Sequence, residues 1–384
     1  MGISFAALAL AVTPQDTPFD ASATVQRGCA LLLAAQEGEG RREWPYEGVY
    51  RVEERDSRES VIPVGYRIGG TSIVALALVA APGYDGEEGA ERRAAVARAC
   101  EFVLAALELE PMEAKRVESY DVRGWGFVYA LALFVELERR GVIPEEHDKA
   151  VRKAIPRLIA ALETTALDDV GGWNYAGREA AAPFMTAPAL QALFAAAAGG
   201  HEVSAEVVAL ALDSLERGRA ASGSVAYSTP AESRAKTDED ALGFMDKLPG
   251  AAGRMLAVES TLTLAGRGDA PRLEAAVRAF FTHWDELEKR RQKTGTHVKP
   301  YGVAPYYVLY AHFHAAQAIE LLTDTDERDL WRAELHARLA EIEEPDGGWN
   351  DRVFPRSRSF GTAMGMLALL QRDLAAPRWS SIRR

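Results

Sequence analysis

Apolar residues from about Ala21 onward recur with the three- and four-residue spacing of helices, and segments that alternate apolar with polar positions are missing. The sequence therefore predicts an all-α protein. Two kinds of helical segment take turns along the chain. The amphipathic, charge-bearing kind covers 23–36, 90–108, 145–164, 204–217, 272–293 and 329–343. The nearly uncharged kind covers 70–81, 125–136, 186–198, 251–265, 306–319 and 361–370.

The alternation predicts how the helices are arranged. An amphipathic helix hides one stripe, whereas a helix that is apolar all round must be covered on every side or line a protected cavity. Equivalent positions in the uncharged segments recur at intervals that average roughly 58 residues, about two helices and two loops. These positions are Leu78, Leu133, Leu193, Leu262, Ile319 and Leu369. We predict an (α/α)6 toroid of six helical hairpins, whose inner helices run parallel around a central cavity. An open solenoid is the alternative, but its end repeats would need polar caps that this chain lacks.

The domain boundaries follow from the same pattern. The toroid is predicted to span residues 19–372, with a short C-terminal tail at 373–384. Residues 1–18 include an apolar run of about ten residues, half of the roughly 20 that cross a bilayer as a helix, so no transmembrane segment is predicted. This run is either a secretory signal, which would make the protein exported or periplasmic, or a disordered tail of a cytoplasmic protein.

A turn motif repeats between amphipathic and apolar segments. It reads Asp-Val-Gly-Gly-Trp-Asn at 169–174 and Asp-Gly-Gly-Trp-Asn at 346–350, with weaker echoes at 40–44 and 223–227. Glycine permits a tight turn with positive φ, and a Trp ring can wedge between neighbouring hairpins, so the motif is predicted to be structural. Its structural residues are Gly171, Gly172, Trp173, Gly347, Gly348 and Trp349.

Acid-Gly-Gly-Trp within a helical repeat of this length resembles the terpenoid cyclase and protein prenyltransferase family, which includes the squalene cyclase-like and prenyltransferase/squalene oxidase repeats. The full family motif has Gln six residues before the Trp, where this chain has Leu167 and Glu343. The resemblance implies an α/α toroid with an apolar central cavity and isoprenoid substrates.

The catalytic residues of that family do not carry over. Cyclases of this type use Asp-x-Asp-Asp, and this chain offers only Asp-Glu-Asp-Ala at 238–241 and Asp-Thr-Asp-Glu at 324–327, both predicted to be loops or helix caps. The prenyltransferases bind zinc through Asp, Cys and His, but Cys29 and Cys100 fall on amphipathic helices away from the axis. We therefore predict no metal and no cofactor, and whether the protein is an enzyme stays open.

A basic residue stands just before or at the start of each inner helix. In a toroid all six inner-helix N-termini meet at one mouth, and their partial positive charges would add to these bases and favour an anion. Local pairing of each base with a nearby carboxylate is the alternative. The bases predicted to bind substrate are Arg67, Arg123, Arg178, Arg254, Lys299 and Arg356.

Aromatic residues are dense at the same mouth. On the fifth inner helix, three recur at i, i+4 and i+8 and share one face, which either walls the cavity for an isoprenoid chain or fills the core. The aromatic residues predicted to contact a ligand are Trp125, Tyr175, Tyr301, Tyr306, Tyr310 and His314. By residue type, His297 and Asp121 are the candidates for a general acid or base.

Charge and composition narrow the function classes. The chain has 44 Lys and Arg against 56 Asp and Glu, a net charge of −12, which argues against nucleic-acid binding. The main hypothesis is a toroid that holds an apolar or isoprenoid ligand with an anionic head. The alternatives are a non-catalytic binding or scaffold module and a carbohydrate-active enzyme, since α/α toroids also host glycosidases and lyases.

Overall fold

A computed structural model of the protein describes residues 19–46, 52–53, 60–117, 120–175, 177–232, 243–291, 297–304, 306–351 and 356–379. The predicted signal segment or tail at 1–18 and the acidic stretch at 238–241 lie outside these ranges. The α-helices of the described ranges are α1 (Ala21–Ala34), α2 (Val64–Ala80), α3 (Ala90–Ala106), α4 (Arg123–Arg140), α5 (Asp148–Thr165), α6 (Pro183–Ala198), α7 (Ala205–Arg217), α8 (Leu248–Leu264), α9 (Ala270–Thr282), α10 (Trp284–Arg291), α11 (Tyr307–Glu320), α12 (Thr325–Glu341) and α13 (Ser357–Leu369).

Strand structure in the described ranges is limited to two short antiparallel pairs in the loops. They are β1 (Val52–Glu53) with β2 (Ser60–Val61), and β3 (Ala180–Ala181) with β4 (Thr229–Pro230). None of the described helices is both long and apolar enough to cross a lipid bilayer. The all-α prediction is confirmed.

The six apolar helices form a closed ring. Helix α2 packs on α4, α4 on α6, α6 on α8, α8 on α11, α11 on α13, and α13 returns to α2. The amphipathic helices lie outside, and each of the first five inner helices packs against the outer helix that follows it in the chain. The ring excludes the open solenoid and confirms the predicted (α/α)6 toroid.

The two ends of the chain close the ring. The first outer helix, α1, packs on the last inner helix, α13. Arg27 of α1 forms an ion pair with Glu343, 2.7 Å away and at the other end of the sequence. Gly28 lets the helices approach closely, because a Cβ there would lie 2.6 Å from Met366 Sδ. No end repeat is left exposed, so the toroid needs no polar cap.

The fifth outer segment differs from its prediction. The sequence suggests one helix over 272–293, but the helix breaks at His283, whose φ of −110° and ψ of 13° are not helical. The break turns Trp284 inward, where its indole N–H donates to His312 Nε2 at 2.9 Å in the core. A buried hydrogen bond thus replaces the continuous helix and ties α10 to α11.

The fourth inner helix matches the repeat most loosely, because α8 carries an acid in an apolar segment. That residue, Glu259, is fully buried, and its carboxylate is shared by Arg219 at 2.8 Å and Arg272 at 3.0 Å. A buried charge is tolerated only when it is paired and hydrogen-bonded. Glu259 therefore joins the end of α7 to the start of α9 across the inner helix.

Three tryptophans hold inner and outer helices together by the same pair of hydrogen bonds. The indole N–H of each donates to a backbone carbonyl of an outer helix. The backbone N–H of each donates to the hydroxyl of a threonine on an inner helix. The indole contacts are Trp44 to Leu32 O at 2.7 Å, Trp173 to Leu162 O at 2.9 Å and Trp349 to Leu339 O at 2.8 Å. The backbone contacts are Trp44 to Thr71, Trp173 to Thr186 and Trp349 to Thr362, at 2.9 to 3.2 Å. We call these residues the tryptophan anchors.

The glycine before the anchor is required by space as well as by conformation. Gly172 and Gly348 have φ of 84° and 73°, and a Cβ on either would lie 2.6 Å from the hydroxyl of the anchoring threonine. The echo at 40–44 has Glu43 in this place, so Trp44 is held by the same bonds without the glycine turn. The turn glycines therefore allow the loop to pack closely against the threonine of the inner helix.

We predict that Gly348→Ala destabilises the protein more than Gly141→Ala. Gly141 has φ of 67° but open space around its Cβ position, so its substitution reports the conformational cost alone, about 1–2 kcal/mol. At Gly348 the clash with Thr362 adds about 1–3 kcal/mol. Urea unfolding measures both free energies, and equal losses would contradict the steric argument.

Candidate functional site

A cavity of about 250 Å³ lies at the N-terminal ends of the inner helices, at the mouth where the outer-to-inner loops meet. We call it the aromatic pocket. Its lining residues are Tyr46, Tyr66, Gly69, Gly70, Ile73, Tyr120, Trp125, Tyr129, Tyr175, Phe184, Tyr227, His297, Tyr306, Tyr307, Tyr310 and Phe360. None of these described residues is a carboxylate, a lysine or an arginine.

The tryptophan anchors place several of the tyrosines. Tyr46 and Tyr175 each follow an anchor by two residues, and Tyr227 has the matching place in the fourth loop. Because the anchors hold the loops against the inner helices, residues just after them lie at the mouth. The sixth loop has Asp351 at this place, and its side chain is fully buried.

The rings form a continuous wall centred on Phe184. Its ring centroid lies 5.5 to 6.0 Å from those of Trp125, Tyr175, Tyr227 and Tyr307. Contacts at this spacing are typical of packed aromatic pairs. The pocket therefore presents ring faces and edges over most of its surface.

Hydrogen bonds join the hydroxyls of the pocket to His297. Tyr175 and Tyr227 hydroxyls are 2.5 Å apart, and the Tyr227 hydroxyl lies 3.1 Å from His297 Nε2. The Tyr306 hydroxyl is 3.3 Å from the same nitrogen. His297 Nδ1 lies 3.0 Å from Gly302 O, which can only accept, so Nδ1 carries the proton and Nε2 is the acceptor for the phenols.

Burial keeps the pocket neutral. It lowers the pKa of His297, an effect to which the nearby Arg254 charge adds and which the Gly302 hydrogen bond opposes. Burial also raises the pKa values of Tyr227 and Tyr307. At neutral pH the pocket therefore holds a neutral imidazole acceptor among phenol donors, a set that can accept a proton from a bound molecule or pass one along.

Arg254 lies behind this wall. Its guanidinium carbon is 5.3 Å from the centroid of the Tyr227 ring. The side chain is buried and donates to Gly250 O at 3.0 Å, to Val225 O at 3.2 Å and to Met245 O. Arg254 therefore supports the loop that carries Tyr227 and does not line the pocket.

The other predicted bases lie outside the lining and are engaged nearby. Arg67 binds Glu43 through two nitrogens, at 2.6 and 2.7 Å. Arg123 binds Asp121 at 2.7 Å, so the acid–base candidate Asp121 is the partner of an arginine. Local pairing, the alternative to a ring of free cations, describes these groups.

Two further predicted bases are also held by neighbours, and the last lies in a loop. Arg178 donates to Ala166 O at 3.1 Å, and Arg356 binds Glu37 at 2.6 Å. Lys299 is exposed, and neither it nor Tyr301 lines the pocket. A role for these residues in binding stays a prediction.

The aromatic predictions divide between two places. Trp125, Tyr175, Tyr306 and Tyr310 line the aromatic pocket, as does His297. His314 lies lower in the ring, next to Tyr310, with ring centroids 4.4 Å apart. Sequence reasoning missed Tyr46 and Phe360, although Tyr46 stands two residues after Trp44 just as Tyr175 stands after Trp173.

Metal binding has no site in the part of the chain that the structure describes. There, no three His, Cys, Asp or Glu side chains are grouped so that they could hold an ion. Cys29 and Cys100 are both buried in outer helices.

A closed ring of inner helices, with a pocket at the mouth where their N-termini meet, defines an α/α toroid. No family model matches the sequence, and no curated protein matches it. Solved structures do share the fold, all at low sequence identity.

Three such structures are representative. An inactive variant of an α-1,6-mannanase of Salegentibacter sp. HEL1_6, in complex with α-1,6-mannotriose, superposes with a TM-score of 0.56 at 11% identity, over 92% of this chain and 100% of that one. The apo type II terpene cyclase MstE from Scytonema gives 0.52 at 16%, over 91% and 97%. A UGL variant with dGlcA-Glc-Rha-Glc gives 0.57 at 14%, over 93% and 97%. Terpene cyclase and carbohydrate-binding toroids are thus equally similar in fold, and the similarity extends to the fold alone.

We predict that the pKa of His297 lies below its ordinary value and that Tyr227→Phe raises this pKa. The Tyr227 hydroxyl donates to neutral Nε2, so its removal disfavours the neutral imidazole and raises the pKa of His297. NMR titration of the imidazole signal, assigned with His297→Gln, measures both values. Tyr66→Phe is the control, because the Tyr66 hydroxyl binds that of Tyr120 at 2.7 Å. A midpoint that stays unchanged in Tyr227→Phe would contradict the assigned tautomer.

Proposed function

We propose that the protein binds an uncharged, largely apolar ligand of the isoprenoid class in the aromatic pocket. The observation that carries this proposal is the lining itself, which consists of aromatic rings, one imidazole and a few apolar or glycine positions. Binding to such a surface is favourable because it removes hydrocarbon from water. Its volume of about 250 Å³ is just below the range of about 300–1,000 Å³ typical of ligand pockets, which favours a short isoprenoid over a long one.

The polar end of the ligand is proposed to be a hydroxyl and not a diphosphate. The arginines near the mouth are engaged by Glu43, Asp121 and Glu37, so an anion would have to compete with these carboxylates. A hydroxyl both donates and accepts, so it can join the hydrogen-bonded hydroxyls of Tyr175, Tyr227 and Tyr306 that lead to His297 Nε2. The anionic head expected from the ring of bases therefore has weaker support than the apolar body.

Proton transfer at His297 is the chemistry that this pocket suits. Ring faces stabilise positive charge that develops in a bound hydrocarbon, and a neutral imidazole nearby accepts a proton that such a species releases. The Tyr227 and Tyr175 hydroxyls continue from His297 as a hydrogen-bonded chain. In this proposal the protein binds the ligand in the aromatic pocket, and His297 is the base for any reaction of the bound ligand.

A carbohydrate-active function has less support from the site than from the fold. Glycoside hydrolysis ordinarily needs two carboxyl groups flanking the bond. No carboxylate is among the described lining residues, Asp121 is paired with Arg123, and Asp351 is fully buried. Aromatic rings also stack on sugars, and two of the similar structures are sugar complexes. An oligosaccharide is therefore the alternative ligand to test.

We predict that geraniol and farnesol bind, and that Phe184→Ala weakens binding at least tenfold. Phe184 touches four other rings of the wall, so its loss removes contact area and loosens the pocket. Isothermal titration calorimetry on the full chain measures Kd. Phe281→Ala is the matched control, because Phe281 stacks on Trp331 outside the ring, with centroids 4.7 Å apart, and its loss leaves the pocket intact.

Two further ligands separate the alternatives in the same titration. Farnesyl diphosphate is expected to bind no more tightly than farnesol, because Arg67, Arg123 and Arg356 are already paired with carboxylates. Heat from α-1,6-mannotriose together with none from the alcohols would overturn the proposal in favour of a carbohydrate ligand. Tighter binding of the diphosphate would restore the anionic head.

A further inference from the structure

A second cavity, of about 400 Å³, lies deeper in the ring, toward the C-terminal ends of the inner helices. We call it the lower chamber. Ile73 and Tyr129 line both cavities, so these side chains form the partition between them. The lower chamber is the larger of the two and falls within the range of about 300–1,000 Å³ typical of small-molecule sites.

Apolar side chains make up most of the lower chamber. They come from α2, α4, α6, α11 and α13 and include Leu76, Val128, Ala132, Ala195, Phe313 and Leu367. The C-terminal segment contributes part of the wall through Leu374 and Pro377. Trp379 holds this segment in place, since its backbone N–H donates to Leu264 O at 3.0 Å and its ring packs on Phe194. The predicted C-terminal tail is thus, over 374–379, a wall of the chamber.

One polar cluster lies among these apolar residues. Gln191 and Gln317 exchange two amide hydrogen bonds, at 2.8 and 3.0 Å, and Gln191 also donates to the Thr261 hydroxyl at 2.8 Å. His314 Nδ1 lies 3.3 Å from Gln317 Oε1, an acceptor, so Nδ1 carries the proton. This fixes His314 Nε2 as a lone-pair acceptor.

His314 Nε2 has no hydrogen-bond partner among the described residues, although the side chain is only 1% exposed and lines the chamber. A buried polar atom without a partner costs free energy that a ligand's donor would recover. Burial lowers the pKa of His314 to about 4, so the imidazole is neutral near pH 7 and only accepts at Nε2.

The charged residues of the chamber, Glu136, Glu138 and Arg139, are paired with one another or with residues just outside the lining. Arg139 donates to both carboxylate oxygens of Glu136 at 2.7 Å. Glu138 pairs with Arg152 at 2.5 Å and with His201 at 2.6 Å. Because these charges are already paired, an ion in the chamber would lose its hydration without gaining an ion pair with them. An uncharged molecule does not have this cost.

We propose that the lower chamber is a second ligand site, which takes an uncharged, mostly apolar molecule with one hydrogen-bond donor. The apolar body lies against α4, α6 and α13, and the hydroxyl or N–H donates to His314 Nε2. The site is separate from the aromatic pocket and does not depend on the function proposed for it. Ile73 and Tyr129, which line both cavities, lie between the two sites.

Binding of N-phenyl-1-naphthylamine tests this site, because the probe is uncharged, apolar and has a single N–H. We expect its fluorescence to rise on saturable binding to the full chain. Ala132→Phe and Ala195→Phe, which fill the chamber, should abolish this signal, whereas Ala209→Phe on the exposed face of α7 should leave it. His314→Phe keeps a ring but removes the acceptor and should weaken binding about tenfold.

The result is interpretable without assuming that every variant folds. Circular dichroism and thermal unfolding identify folded variants. Phe184→Ala gives a second readout, because Phe184 lines the aromatic pocket and not the lower chamber. Phe184→Ala should leave probe binding unchanged. No binding by the folded chain, binding unchanged in folded Ala132→Phe, or loss of binding in folded Phe184→Ala would overturn the proposal, whatever the outcome for isoprenoid binding in the aromatic pocket.

Discussion

The hydrogen bonds of three buried tryptophans connect the layers of this toroid. Each indole N–H satisfies a carbonyl on an outer helix, and each backbone N–H donates to a threonine on an inner helix, so one residue joins both layers and a loop. A buried Trp also removes a large apolar area from water, which makes its position energetically well defined. Because the loops are held here, the residues that follow them are held as well.

The aromatic pocket is a consequence of that constraint. Residues two positions after Trp44 and Trp173 are tyrosines at the mouth of the ring, and Tyr227 has the matching place without a tryptophan before it. The fourth loop has a different support, the buried Arg254, whose guanidinium donates to three backbone carbonyls behind Tyr227. Positive charge at the mouth therefore stabilises loops and pairs with carboxylates, and the neutral pocket surface is left to rings, hydroxyls and one imidazole.

The hub of the ring is divided, and its two parts differ in chemistry. At the N-terminal ends the side chains are aromatic and linked through hydroxyls to His297; at the C-terminal ends they are aliphatic, with a small amide and imidazole cluster. Ile73 and Tyr129 line both parts. Both histidines, His297 and His314, are kept neutral by burial, and in each the proton on Nδ1 is fixed by an oxygen acceptor. In both places a neutral acceptor nitrogen therefore faces the hub.

The sequence by itself determined the order and kind of the helices, because segments that are apolar all round differ from amphipathic segments in their residue pattern alone. It also identified the turn glycines and two of the three tryptophan anchors, and it brought Trp125, Tyr175, Tyr306 and Tyr310 forward as residues of the mouth. It missed the break at His283, since the hydrogen bond between Trp284 and His312 joins residues on two separate helices.

Only the tertiary structure decided which charges are paired, where the cavities lie and how the chain ends meet. The sequence does not distinguish a basic residue that faces a ligand from one that is paired with a carboxylate. Packing across loops brings Glu43, Glu37 and Asp121 next to their arginine partners. The same holds for Phe360 and His314, which enter different parts of the hub because ring closure sets the rotation of each inner helix. Helical periodicity is a local property of the chain, whereas the hub is formed by side chains from six helices that are far apart in sequence.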